Sequence, residues 1–92
     1  MKKKKAPLQD LIFQKKPLGV ILSLHGVEGR YPTKIAKEID CTYTHTLKIL
    51  SILRSTGIVE FRKHGRIKEV VLTEKGIELS KSIYELKEKF LK

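Results

Sequence analysis

The chain has 92 residues, of which 20 are Lys or Arg and 10 are Asp or Glu, for a formal net charge of +10. That length makes one domain, and so large a positive excess implies a polyanionic partner, nucleic acid ahead of an acidic membrane surface. The hydrophobic share of 40 % suffices for a core, while no apolar run approaches the roughly 20 residues that span a bilayer. The longest such run, Leu18 to Leu24, is broken by Gly19 and Ser23. The single cysteine, Cys41, excludes an intrachain disulfide and suits a reducing cytoplasm. Met1 is followed by four lysines and Ala6-Pro7, without the apolar segment of a secretory signal, so a cytoplasmic protein is expected.

Residues 1–6 read as a disordered basic tail, because Lys2 to Lys5 is a block of like charge. Pro7 can open a short helix with Leu8, Leu11 and Ile12 at i, i+3 and i+4. Lys15-Lys16-Pro17 predicts a break, since the residue before a proline avoids the helical region. A second helix is expected from Pro17 or Leu18 to about His25, apolar nearly all round and therefore central, with Gly26 as its C-terminal cap. Gly29-Arg30-Tyr31-Pro32 could form a brief edge strand.

Thr33 is expected to cap the next helix, which buries Ile35, Ala36 and Ile39 and turns Lys34, Lys37 and Glu38 outward. Asp40-Cys41 is the turn. Thr42 then caps a helix over 42–55, whose Thr46, Ile49, Leu50 and Leu53 recur at i, i+3, i+4 and i+7 and face the core. Its outward side carries Tyr43, Thr44, Leu47, Lys48 and Ser51, and Gly57 ends it. Ile58 to Phe61 and Ile67 to Leu72 read as two strands of a hairpin, with Gly65 in the turn and a basic tip at Arg62-Lys63-His64-Gly65-Arg66. Val70, Val71 and Leu72 are consecutive, which leaves open the face that packs inward.

The last helix follows Thr73-Glu74-Lys75-Gly76 and runs to about Phe90. Leu79, Ile83, Leu86 and Phe90 repeat at +4, +3, +4, the rhythm of a helix-pairing seam, and Ile77, Tyr84 and Leu91 form a second line at intervals of seven. Two apolar lines are more than so small a domain covers. A homodimer is therefore expected, with Ile77, Leu79, Ile83, Tyr84, Leu86 and Phe90 at its interface.

The order helix, turn, helix, basic hairpin, helix resembles the winged helix-turn-helix transcriptional regulators, and most closely their MarR-like group. The resemblance is carried by Thr33 to Ile39 (TKIAKEI), Asp40 to Leu50 (DCTYTHTLKIL), Leu53 to Glu60 (LRSTGIVE) and Leu72 to Gly76 (LTEKG), and covers roughly residues 17–80. The last run is similar to the LTxxG join between wing and final helix in such proteins. Two departures stand out. The chain is shorter than a typical MarR protein, whose dimerisation helices are longer, and Leu47 stands where such regulators commonly carry a polar residue. A leucine there could meet a thymine methyl, the wing, or solvent.

The implied fold is mainly α with a small β-hairpin: a winged helix-turn-helix domain over 7–73 and a C-terminal dimerisation helix over 74–92. The implied activity is sequence-specific binding of double-stranded DNA by a homodimer, with helix 42–55 in the major groove and wing 58–72 on the backbone or minor groove. Thr42, Tyr43, Thr44, His45 and Lys48 are chemically suited to base edges and phosphates. Thr33 would hold a phosphate at a helix start, and Arg62, Lys63, His64, Arg66 and Lys68 would make the wing contacts.

Other chemistry is poorly supported. Cys41 and His45 stand at i, i+4 and could be imagined as a metal pair with His25 or His64, but Cys41 reads better as a core residue at the turn. No phosphate loop and no catalytic constellation is present, so a non-enzyme without cofactor is expected, and no effector can be named. A membrane-surface role is disfavoured because the last helix has near-balanced charge. Two alternatives share the fold: a winged-helix module that docks on protein within a larger assembly, which Leu47 and Ile52 would suit, and a sequence-tolerant DNA-coating protein.

Overall fold

The computed structural model describes residues 14–91. The basic tail and the short helix expected after Pro7 lie outside the described residues. Helix α1 spans Lys15–Ser23, α2 Pro32–Glu38 and α3 Tyr43–Ser55. Strands β1 (Val59–His64) and β2 (Ile67–Leu72) form the hairpin, and α4 runs over Glu74–Leu91.

Two helix starts differ from the sequence expectation. Helix α1 begins at Lys15, with Gln14 as its extended N-cap and Pro17 inside the first turn. A first-turn N–H has no intrahelical partner, so the proline removes no bond there. Lys16, expected at a break, is helical, and its ammonium donates to the carbonyls of Ile39 and Asp40, both at 2.7 Å. It thereby holds the turn after α2 at the end where unpaired carbonyls favour a cation. In α2 the N-cap is Tyr31, with Pro32 first in the helix and Thr33 one place further in, so Thr33 is not the cap. The pre-organised φ of proline outweighs the capping preference of the hydroxyl.

Only Arg30 of the expected edge strand pairs with the sheet. Its backbone exchanges two hydrogen bonds with Val70, at 3.0 and 2.7 Å. The Arg30 side chain donates to the Ser23 carbonyl (2.7 Å) and forms an ion pair with Glu38 (3.1 Å). Arg30 thus ties the end of α1, the sheet edge and α2 into one body.

The turn between α2 and α3 passes through Asp40 in the left-handed region, φ 57°, where a short polar side chain is tolerated. Thr42 caps α3 as expected, its hydroxyl accepting from the His45 amide at 3.1 Å. Thr46, Ile49, Leu50 and Leu53 are all buried, and the hydroxyl of buried Thr46 donates to the Thr42 carbonyl. The helix closes in a Schellman motif: Gly57 N–H bonds to Arg54 C=O, Ile58 N–H to Leu53 C=O, and Gly57 has φ 83°.

The core joins Val20, Ile21 and Leu24 of α1, Ile35 of α2, the inner face of α3, Ile58, Val59, Val70 and Ile83. The open question of strand parity resolves into burial of both Val70 and Val71, on opposite faces of β2. The hairpin register pairs His64 with Ile67 across a two-residue turn, Gly65-Arg66. Gly65 has φ 65° and Arg66 is not in the positive region, the pattern of a type II′ turn whose twist matches the strands.

The last helix corrects the expected interface. Ile83, expected to face a partner, is 9 % exposed and belongs to its own domain's core, and Leu79 packs against the same cluster. Burying four apolar positions needs a surface as long as the helix, and along this line the core reaches only Leu79 and Ile83. Leu86 and Phe90, further along that line, are exposed, Phe90 at 80 %. Ile77 and Tyr84 of the second line are exposed as well.

Candidate nucleic-acid interface

Helix α3 and the hairpin flank a groove of about 460 Å³. Tyr43, Thr44, His45, Leu47 and Lys48 of α3 are all exposed, but only Tyr43 and Leu47 line this groove. His45 and Lys48 instead border a separate hollow with Gln14, Lys15, Lys16 and Pro17 at the start of α1. The inward stripe of α3 is fully used by the core, so a 3.6-residue period leaves these side chains no inner neighbour. Thr33 is exposed near the start of α2 and lines the same groove with Tyr31 and Tyr43.

The wing divides by strand parity. Side chains directly across the ladder share a face, and the register places Phe61 with Val70 and Lys63 with Lys68 on one side. Arg62 stands opposite Glu69 on the other. Phe61 and Lys68 line the groove, so Lys63 falls on the groove-facing side with them, whereas Arg62 does not. Lys63 opposite Lys68 is a like-charge pair, which costs stability unless an anion lies over it. Arg66 sits in the turn and also lines the groove. His64 ends β1.

Three contributions were not expected from the sequence. Arg54, near the end of α3, lies 5.5 Å from the Phe61 ring centroid and Lys68 lies 5.8 Å from it. A cation over a ring is attracted by its quadrupole, so one aromatic side chain orients charge from both the helix and the wing. Tyr31 and Ile67 add apolar lining. Sequence pattern marks single elements, and these residues meet only because α3 and β1 pack together.

The remaining polar clusters serve the scaffold. Cys41 is half-buried rather than in the core, and its amide bonds to the Ala36 carbonyl. His25 lies against α4, its Nδ1 3.0 Å from Ser80 Oγ and its ring stacked on Tyr84 at 4.7 Å. Ser80 is buried, and its hydroxyl is also within 2.9 Å of the Ile77 carbonyl. Among the described residues, no three His, Cys, Asp or Glu side chains are grouped to hold a metal ion.

The family model described as winged helix-turn-helix matches residues 19–90. The chain belongs to the winged helix-turn-helix family. Solved structures agree on the fold of this winged helix-turn-helix protein. A protein of Archaeoglobus fulgidus is 22 % identical with a TM-score of 0.78, over 91 % of this chain and 97 % of its own. A MarR family transcriptional regulator of Silicibacter pomeroyi is 20 % identical with a TM-score of 0.79, over 89 % of this chain and 62 % of its own. ZitR of Lactococcus lactis is 19 % identical with a TM-score of 0.79, over 99 % of this chain and 62 % of its own. The winged helix-turn-helix chain thus spans nearly all of the first and about three-fifths of the other two. A search of the curated proteins returned no match to the sequence. No helix among the described residues is long and apolar enough to cross a membrane.

Proposed function

We propose that the protein is a sequence-specific DNA-binding transcriptional regulator that acts as a homodimer. The observation that carries this reading is an exposed α3 whose Tyr43 and Leu47 share one groove with a cationic hairpin, with Lys63 directly opposite Lys68. A duplex phosphate backbone neutralises that repulsion and releases counterions. In this reading α3 enters the major groove, where Thr44, His45 and Lys48 reach base edges and phosphates. Lys63, Arg66 and Lys68 contact the backbone or the adjacent minor groove. Arg62 contributes through the net field rather than by direct contact, because it faces Glu69 across the ladder. The MarR family membership of the Silicibacter pomeroyi neighbour supports the same class.

The proposed dimer uses Ile77, Tyr84, Leu86 and Phe90, the members of the two apolar lines that the domain leaves exposed. A two-fold pair would present two α3 helices to half-sites about one turn apart. Exposed Leu47 and Ile52 on α3 favour a second reading, docking on a protein partner.

Binding of the full chain to its own upstream region and to a scrambled duplex, at two salt concentrations, separates the readings. A specific-to-scrambled ratio that survives the higher salt supports base readout. Equal binding that collapses with salt indicates a sequence-tolerant DNA-coating protein. Binding to neither duplex would move the assignment to protein docking.

A further inference from the structure

The groove between α3 and the wing is unusual for a surface opposed to DNA, because its floor is apolar. Tyr31, Tyr43, Leu47, Phe61 and Ile67 line it, and Tyr43, Leu47 and Ile67 are exposed, at 50 %, 36 % and 52 %. The Tyr31, Thr33 and Tyr43 hydroxyls offer a phosphate or base-edge amide a partner at one end, but against Leu47, Phe61 and Ile67 a polar group loses water without gaining one. The rim is cationic: Arg66 and Lys68 line the groove, and Lys63 stands across from Lys68. With a net charge of +10 on the chain, the occupant is polyanionic, yet it must present apolar groups once seated. A duplex meets both conditions at one atom, because the only apolar group a base pair shows in the major groove is the 5-methyl of thymine.

We infer that this groove reads thymine methyl groups, with Leu47 as the central contact and Ile67 closing it from the wing. The inference rests on the DNA-binding reading and deepens it: specificity at the positions facing Leu47 comes from apolar burial rather than from hydrogen bonds. Leu47 lies on the outward side of α3 and lines the groove with Phe61 and Ile67, so a methyl arriving along the major groove would meet side chains from helix and wing together.

The test starts from the tightest duplex that the full chain recovers from a random-sequence pool. Each thymine in it is replaced singly by uracil, which removes the methyl and leaves the pairing edge unchanged. For the wild-type chain, at least one replacement should weaken binding about fourfold, the equivalent of about 0.8 kcal/mol for one buried carbon. In Leu47→Ala and in Ile67→Ser the same replacement should change affinity little, with folding verified for each by thermal melting. Uracil replacements without effect at every position would overturn the inference and leave the DNA-binding reading standing. A loss that persists unchanged in both variants would also overturn it, because the methyl would then act through duplex shape. Recovery of no duplex at any salt would defeat the DNA-binding reading itself, and this inference with it.

Discussion

Replacing Gly76 by alanine inserts a methyl group into the join between the wing and the last helix. A Cβ on residue 76 would overlap the Ile58 carbonyl oxygen, with the Ile58 carbonyl carbon at 3.1 Å and Leu72 Cδ2 at 3.0 Å. The leucine tip can yield, but the carbonyl is held. It accepts from the Thr73 amide at 3.0 Å, and the Thr73 hydroxyl lies 3.2 Å from it while also donating to Gly57. The same hydroxyl accepts from the Gly76 amide at 3.0 Å and so caps α4. Moving the helix away to admit the methyl disturbs this set of bonds together. Overpacking of this kind costs about 1–3 kcal/mol, and each weakened hydrogen bond adds about 1 kcal/mol. The better helix propensity of alanine returns about 1 kcal/mol at most. A net loss of about 2 kcal/mol lowers the Tm of a domain this size by roughly 10 °C. Thermal and urea denaturation followed by circular dichroism measures it. A Gly76→Ala chain as stable as the wild type would refute the close approach of α4 to the Ile58 carbonyl at the entry to the wing.

Three further outcomes follow from the geometry. Lys16→Met should lower the urea midpoint by the equivalent of about 1 kcal/mol, because the Ile39 and Asp40 carbonyls lose a charged donor; an unchanged midpoint would mean that water replaces the ammonium at no cost. Lys63→Ala and Arg66→Ala should each reduce the slope of log affinity against log salt by about one unit, whereas Arg62→Ala, which faces Glu69, should reduce it less; equal effects of all three in a filter-binding titration would contradict the two-sided wing. Phe90→Asp with Leu86→Asp should shift the sedimentation coefficient from dimer to monomer while leaving the melt nearly unchanged. Ile83→Ala, in the core, should instead lower stability by about 2–5 kcal/mol, and a doubly substituted chain that still sediments as a dimer would place the interface elsewhere.

Truncation before Ser80, the simplest way to ask whether α4 pairs two chains, is a poor probe for a reason visible only in the folded domain. It removes Ser80 and Ile83, both buried, together with the His25 contact. Loss of the dimer would then be confounded with loss of the fold. Point changes at the exposed end of α4 separate the two.

Local signals carried much of this protein. The Thr42 cap, the Thr46–Ile49–Leu50–Leu53 stripe, the Gly57 stop, the Gly65 turn and the Thr73–Gly76 join are each set within a few residues. Such features need only backbone sterics, a nearby amide, or the period of a helix, so sequence alone determined the order of elements and the outward face of α3. Where two local preferences compete, only their relative strength decides, and proline at the start of α2 prevailed over Thr33 as a cap.

Tertiary structure decided everything that depends on distance along the chain. Lys16 finds its carbonyl partners 23 and 24 positions away. Phe61 gathers Arg54 from one element and Lys68 from another. Of the first apolar line of α4 the core takes Leu79 and Ile83 and leaves Leu86 and Phe90 exposed, while Tyr84 of the second line stacks on His25. Hydrophobic pattern states that a residue gains by leaving water. Which surface covers it, its own domain's or another chain's, depends on how far the rest of the fold extends beneath it.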